Sequence, residues 1–322
     1  MKVIITDCDH DSIKIEEDIL NAAGLEFKLL QCRTEDDVIQ KCGEAEIFIN
    51  QYAPITERVI RELPNLKIVI RYGVGVDNVD LDAATKYGVI VCNVPDYGMN
   101  EVAEQAMALM FALVRKTVIM VNDTKAGNWD YTKAVPIHRF NCLTIGICGM
   151  GRIGRNFAHK VRPLTSNIIC YDPFVHPCEA NGLEFVKSVD FDTLLRESDI
   201  ISIHTPLNED TKGMFDMNAF RKMKKSAYLI NTARGGIVNE KDLDEALAIG
   251  EIGGAALDCM ENEPVIGGHP LYKHDNFLPT PHMSWYSEEA YRELKRKVAE
   301  EAVRFSKGEK LRDPVNAPRA PR

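Results

Sequence analysis

Short apolar runs alternate with amphipathic stretches from the first residues onward. KVIITD, EFKLLQC, AEIFIN, KIVIRY and VIVCN read as strands. Between them, EDDVIQKC and ERVIREL carry helical spacing. Thr34 and Thr56 stand as N-caps before these two, and Gly24, Gly43 and Gly88 fall where helices should stop. Strand and helix in alternation predict a parallel sheet covered on both faces. Residues 101–125, EVAEQAMALMFALVRKTVIMVNDTK, are apolar on nearly every face, which suits one long helix buried between domains or subunits, or a plain core helix. A second series of strands follows: LTIGIC, NIICYD, LEFVK, DIISIH, AYLINT and GGAALD. The pattern predicts two successive α/β units, a last helix over residues 287–305, and a Pro-rich end, NAPRAPR, that frays.

At 322 residues the chain exceeds the size of one hydrophobic core, in keeping with two domains. A net charge of -9 argues against a nucleic-acid surface, which needs clustered Lys and Arg. The nine cysteines lack the paired spacing of a zinc or redox site and read as buried free thiols, so no metal is expected. Met1 leads straight into the first strand, leaving no room for a signal peptide, and no apolar run reaches membrane-spanning length; the expected setting is the cytoplasm.

The richest chemical signal is LTIGICGMGRIGRNFAHKVRPL. Gly149, Gly151 and Gly154 form a GxGxxG pattern between a strand and a helix opened by Arg152 and Ile153. Such glycines permit a tight turn, close approach of backbone to a pyrophosphate, and close helix–strand packing, with the helix N-terminus toward the phosphates. Asp172 ends the next strand, about 20 residues on, where a carboxylate can accept hydrogen bonds from ribose hydroxyls. With no Arg directly after it, NAD is expected rather than NADP. Asp172 could instead simply form a strand-end turn with Pro173.

RYGVGVDNVDLDAA, NVPDYGMNEVAEQAMAL, GICGMGRIGR, HTPLNEDTKGMF, INTARGGIVNE, ALDCMENEP and LPTPHMSWYSEEA together resemble the D-isomer-specific 2-hydroxyacid dehydrogenase family over nearly the whole chain. NVPDYG and WYSE are similar in wording to the branch of NADH-binding C-terminal-binding proteins, transcriptional corepressors of the same fold. The resemblance implies two Rossmann-like or flavodoxin-like domains: a substrate domain over residues 1–99 and 287–322, and an inserted NAD-binding domain over residues 100–286. It also implies a homodimer joined through the helix that begins near Glu101, and an active site in a cleft.

By the same resemblance, Arg234, Glu263 and His282 match the family's catalytic residues. Hydride transfer to a 2-oxo acid leaves negative charge on the carbonyl oxygen, which needs a proton donor and a fixed cation. His282 would move the proton, Glu263 would fix its tautomer, and Arg234 would hold the carboxylate and polarise the carbonyl. A structural ion pair between Arg234 and Glu263, and a packed imidazole at His282, are the plain alternatives. Val74 and Gly75 would cradle the substrate carboxylate, or merely shape a turn. Asp258 would hold the nicotinamide carboxamide, or cap its strand. His204, Thr205 and Pro206 would line the adenosine half, or form a simple bend, and Thr232 and Ala233 would complete the cofactor site. Gln51, Tyr52, Arg71, Tyr72 and Trp285 are candidates for the mouth of the site; Arg71 could receive a second anionic group or pair with a nearby acid.

The expected activity is an NAD-dependent (R)-2-hydroxyacid dehydrogenase of the hydroxypyruvate, glyoxylate or 2-oxoacid reductase type. The alternative is an NADH-responsive dimeric binding protein like the corepressors. The family also includes enzymes that oxidise formate or phosphite.

Overall fold

Apolar runs with no polar alternation become parallel strands buried on both faces. The computed structural model describes residues 1–175 and 182–322. Among them, contacts divide the chain into two compact units, 1–98 with 286–322, and 99–285. In the first unit, strands β1 (Lys2–Ile5), β2 (Glu26–Leu29), β3 (Ile47–Asn50), β4 (Ile68–Arg71) and β5 (Ile90–Cys92) form a parallel sheet in the order β2-β1-β3-β4-β5. Helices α1 (Lys14–Ala22), α2 (Glu35–Lys41), α3 (Glu57–Glu62) and α4 (Leu81–Lys86) connect them. Thr34 accepts from the Asp37 amide and Thr56 from the Val59 amide, the capping expected of both.

The second unit begins with helices α5 (Met99–Val114) and α6 (Thr117–Lys125). Its seven strands are β6 (Ile145–Cys148), β7 (Ile168–Tyr171), β8 (Val186–Ser188), β9 (Ile200–Ile203), β10 (Tyr228–Asn231), β11 (Gly254–Leu257) and β12 (Phe277–Pro279), in the order β12-β11-β10-β9-β6-β7-β8. The helices between them are α7 (Arg152–Val161), α8 (Phe191–Glu197), α9 (Met217–Lys222) and α10 (Glu240–Ala248). Helix α11 (Glu288–Ser306), capped by Ser287, belongs to the first unit. One face of the larger sheet packs α5 and α7 through Ala103, Ala106, Met110, Phe157 and Val161; the other packs α8, α9 and α10 through Leu195, Phe220 and Leu243. Strand order reverses between β6 and β9 in this unit and beside β1 in the other. In open parallel sheets, ligands bind outside the carboxyl ends of strands at such points.

Three expectations change, and one strand has no counterpart in the sequence pattern. The helix expected over residues 101–125 is two: Lys116 adopts the left-handed region, φ 52°, and turns the chain between α5 and α6. Only α5 is buried; α6 has no buried residue, and its Val118 and Val121 are 41% and 49% exposed. Strand β12 leaves no signal in the sequence, because three residues ending in Pro give no periodicity; an edge strand tolerates that Pro. The Pro-rich end is bound rather than frayed: the Val315 amide donates to Val91 O, Asn316 exchanges hydrogen bonds with Val91 and Val89, and the Arg322 side chain donates to the carbonyls of Ile60, Leu63 and Leu66. Of the cysteines, seven described ones are buried free thiols, but Cys142 is exposed; Cys178 lies outside the described residues.

Candidate active site

In the second unit, the glycine loop leaves β6 at Cys148 and enters α7 at Arg152. Gly149 has φ 98°, and a side chain there would come within 2.7 Å of the Thr205 amide nitrogen. A side chain on Gly154 would lie 2.0 Å from Gly149 O, whereas one on Gly151 would meet nothing within 4 Å. Two of the glycines are thus required by the protein's own packing. The third leaves open space before a helix N-terminus that no side chain caps, which fits the pyrophosphate of a dinucleotide.

Asp172 forms the strand-end turn and also braces the glycine loop. Its Oδ1 accepts from the Phe174 and Val175 amides at 2.9 and 3.0 Å, forming the strand-end turn, while Oδ2 accepts from the Met150 amide at 2.7 Å and ties that turn to the glycine loop. It borders an open cavity of about 590 Å³ shared with Pro173, Lys187, Ser188 and Thr193. Arg155, given no role by the sequence, donates from Nε to Met150 O at 2.9 Å and braces the same loop.

Residues 204–206 follow β9 across the reversal point, and the His204 carbonyl carbon and Thr205 amide stand against Gly149. The His204 ring packs on Phe157 of α7 at 5.1 Å, and its Nε2 meets Ser202 Oγ at 2.9 Å. Its Nδ1 is buried without a hydrogen bond; burial lowers the imidazole pKa to about 3 and keeps it neutral. The side chain therefore wedges α7 against the sheet. The Thr232 hydroxyl is also buried without a partner.

Arg234 follows β10 in a turn organised by the fully buried Asn231, whose Oδ1 accepts from the Ala233 amide at 2.9 Å and whose Nδ2 donates to Arg234 O at 2.7 Å. Arg234 Nη1 donates to Ala233 O at 2.7 Å. His282 Nδ1 and Glu263 Oε2 are 2.6 Å apart, and Glu263 Oε1 accepts from the Met260 amide at 2.7 Å. Burial alone would raise the Glu263 carboxyl pKa. The hydrogen bond and charge of His282, the Met260 amide and the nearby Arg234 charge outweigh it and hold the group below the usual carboxylate range. Arg234, Glu263 and His282, far apart in sequence, therefore share one electrostatic environment at the ends of three strands.

The His282 ring is presented from a left-handed backbone, φ 52°, and is 44% exposed. Buried Asp258 sets this turn: its carboxylate accepts from Thr280 Oγ1, from the Met283 amide at 3.1 Å and from the Ser284 amide at 2.9 Å. The carboxylate thus serves the turn after β12 rather than the end of its own strand. Trp285, which follows, is half-buried.

In the first unit, the Arg71 guanidinium lies over Gly73, with Nη1 1.8 Å from where a Gly73 side chain would begin; Gly73 has φ 130°. Val94 N donates to Gly73 O at 2.9 Å and Asn93 Nδ2 to Val74 O at 2.6 Å, which fixes the loop carrying exposed Val74 and half-buried Gly75. Tyr72 was expected at the mouth of the site, but it is buried, with its hydroxyl bonded to Glu16 Oε1 at 2.7 Å; Glu16 in turn pairs with buried Lys295 at 3.2 Å. Gln51 is buried as well, while Tyr52 is 52% exposed. Buried Asp7, unremarked in the sequence, accepts from the Gln51 and Tyr52 amides at 3.2 and 2.6 Å. Asp7 and Asn50 each place a polar residue at the end of an apolar run, the signal that could have marked them.

Among the described residues, no cluster of His, Cys, Asp or Glu is arranged to hold a metal ion, and no helix is long and apolar enough to cross a membrane. The family profile of the D-isomer specific 2-hydroxyacid dehydrogenase NAD binding domain matches residues 107–284. The chain is 38% identical over 302 residues to a D-3-phosphoglycerate dehydrogenase of Archaeoglobus fulgidus, covering 94% of this chain and 57% of that one. It is 36% identical over 282 residues to a glycerate dehydrogenase of Methylorubrum extorquens, covering 85% and 87%. Among solved structures, an Aquifex aeolicus D-lactate dehydrogenase complexed with NAD and lactic acid superposes with a TM-score of 0.89 at 26% identity, covering 99% of this chain and 100% of that one. An NAD-dependent formate dehydrogenase of Staphylococcus aureus superposes with a TM-score of 0.88 at 30% identity and the same coverage. The chain spans only 57%, 60% and 51% of the length of three phosphoglycerate dehydrogenases it matches.

Proposed function

Because the chain belongs to the D-isomer-specific 2-hydroxyacid dehydrogenase family, we propose that it is an NAD-dependent oxidoreductase that interconverts a small (R)-2-hydroxy acid and its 2-oxo acid. The observation that carries this reading is the His282–Glu263 hydrogen bond at 2.6 Å, with Arg234 close enough to act on Glu263. The uncapped glycine loop, open at Gly151 and tied to Asp172, supports binding of the dinucleotide by Gly149 to Gly154 and Asp172. His204, Thr205, Pro206, Thr232 and Ala233 border that loop or the strand ends beside it. The relatives' names are those of dehydrogenases, so a corepressor-like binding role is not carried forward.

When bound, NADH supplies the hydride. The chain's own residues then manage charge. Glu263 holds His282 Nδ1, which orients the ring and leaves Nε2 to hand a proton to the developing alkoxide, or to remove it in the reverse direction. Asp258 fixes the turn that presents the imidazole and so contributes through His282, besides any hold on the carboxamide. Arg234 provides the cation for the substrate carboxylate and carbonyl. Trp285 borders the substrate. The same reading takes the protein to be a cytoplasmic homodimer joined through the helix that begins near Glu101.

The test is NADH oxidation with hydroxypyruvate, glyoxylate, pyruvate and phosphonate- or sulfonate-bearing 2-oxo acids; no turnover with any of them, despite tight NADH binding, would remove the reading. The relatives named for phosphoglycerate, and the guanidinium lying over Gly73, support Arg71 as a receptor for a second anionic group. Arg71→Ala should lower kcat/KM for dianionic substrates by about 10- to 100-fold, the worth of a charge-assisted hydrogen bond, and leave glyoxylate and pyruvate nearly unchanged. Equal loss on all substrates would assign Arg71 to structure.

A further inference from the structure

Two consecutive amides of the loop that carries Glu263 are held by two different carboxylates. The Met260 amide donates to Glu263 Oε1 at 2.7 Å, and the Glu261 amide donates to Glu240 Oε1 at 2.6 Å. Glu240, the first residue of α10, is only 8% exposed, and its Oε2 lies 3.1 Å from His269 Nε2. The Leu271 amide donates to His269 Nδ1 at 3.3 Å, so that nitrogen carries the lone pair and the ring proton sits on Nε2, toward Glu240. Burial raises the carboxyl pKa of Glu240, while the Glu261 amide and His269 oppose that rise.

The 260–261 peptide is also where the Arg234 turn rests. A side chain on Gly235 would lie 2.0 Å from the Met260 carbonyl carbon and 2.4 Å from the Glu261 nitrogen, so the backbone after Arg234 packs directly on the peptide that Glu240 anchors. A displacement there moves Glu263 and the Arg234 turn together. Nor is Glu240 required to fasten α10 to the turn Pro270–Lys273. Asp244, one helical turn on, already does so through His274 Nε2 at 2.7 Å and Lys273 Nζ at 3.0 Å, without touching the loop.

We propose that Glu240 and His269 are positioning residues, a second carboxylate–imidazole pair that fixes the 260–261 peptide and thereby holds Glu263 against His282. This rests on the reading that His282 and Glu263 carry the chemistry. Through an anchored peptide, a displacement of a fraction of an ångström at Glu263 is enough to misalign the imidazole, and catalytic geometry is sensitive on that scale.

The experiment compares Glu240→Ala, Glu240→Gln and His269→Asn with Asp244→Asn, using NADH-dependent turnover and the low-field proton resonance of the His282 Nδ1–H bonded to Glu263, identified by its loss in Glu263→Gln. Glu240→Ala and His269→Asn should lose or broaden that resonance and lower kcat about tenfold, with the KM for NADH unchanged. Glu240→Gln keeps its volume and an acceptor for the Glu261 amide but turns a donor toward His269 Nε2–H, so an intermediate loss is expected. Asp244→Asn should lower the melting temperature alone. The proposal falls if folded Glu240→Ala and Glu240→Gln keep both the resonance and kcat, or if Asp244→Asn loses both to the same degree. Should the unaltered protein turn over no 2-oxo acid, the functional reading fails on that ground, and the resonance still decides whether Glu240 positions Glu263.

Discussion

His282→Asn is expected to lower kcat for the preferred 2-oxo acid by about 100- to 10,000-fold, the usual worth of a positioned general acid, while NADH affinity stays within about twofold. Asn is the informative replacement because His282 has φ 52°, a region that Asn tolerates better than most side chains. Loss of rate then reports the missing imidazole rather than a refolded turn. Asp258 would still hold the Met283 and Ser284 amides, so the loop should keep its course. Stopped-flow hydride transfer with and without the substitution checks this, and an unchanged rate would return His282 to a packing role. The pH dependence follows from Glu263. Its carboxyl is held below the ordinary value of 4.5, so the ion is present throughout the range above that value and the contact is lost only as pH falls through the lowered one. An acidic limb in the activity profile at higher pH would therefore not belong to Glu263.

The second large effect concerns the glycine loop. Gly154→Ala places a methyl 2.0 Å from Gly149 O, a main-chain atom that no side-chain rotation can move aside. Helix α7 must shift outward, loosening Phe157, Ala158 and Val161 from the core. Overpacking of this kind costs about 1–3 kcal/mol, and we expect a lowered melting temperature together with at least a tenfold loss of NADH affinity. Gly151→Ala separates the two effects. Its methyl meets nothing within 4 Å, so stability should hold while NADH affinity still falls, because the methyl occupies the space left for the pyrophosphate. Calorimetric titration with NADH and thermal melts of both variants decide the matter; a Gly151→Ala protein that binds NADH normally would place the phosphates elsewhere.

The glycine pattern was legible because each position obeys a local steric rule that spacing alone expresses. The parallel strands were legible for a similar reason: runs such as IFIN and IISI are buried on both faces and lack alternation. Lys116 was not, since neither Gly nor Pro marks the break between α5 and α6 and the turn depends on a left-handed lysine. Tyr72 was misread because burial of its hydroxyl depends on Glu16 and Lys295, one of them more than two hundred residues away. Glu240 resembled any acid in the first turn of a helix, where it would merely favour the macrodipole. Its role depends on the Glu261 amide and His269, partners that no periodicity relates. Arg234, Glu263 and His282 were legible through the family's wording rather than through spacing, and the structure adds the 2.6 Å contact and the turn set by Asp258.

The bound segment at residues 314–322 has a consequence for solubility. β5 lies at one border of the five-stranded sheet, and the surrounding VIVCN is the kind of β-branched, uncharged run that recruits strands from other molecules. Pro314 bridges to Cys92 and the Val315 amide donates to Val91 O, so the ladder is already answered from within the chain. Pro314, Pro318 and Pro321 carry no amide hydrogen, so this covering segment offers a poor template for a further strand. At the opposite border, β2 exposes Glu26 and Lys28, charges that discourage stacking by a neighbour. The sheet is thereby protected from edge-to-edge aggregation at both margins, by covering on one side and by charge on the other.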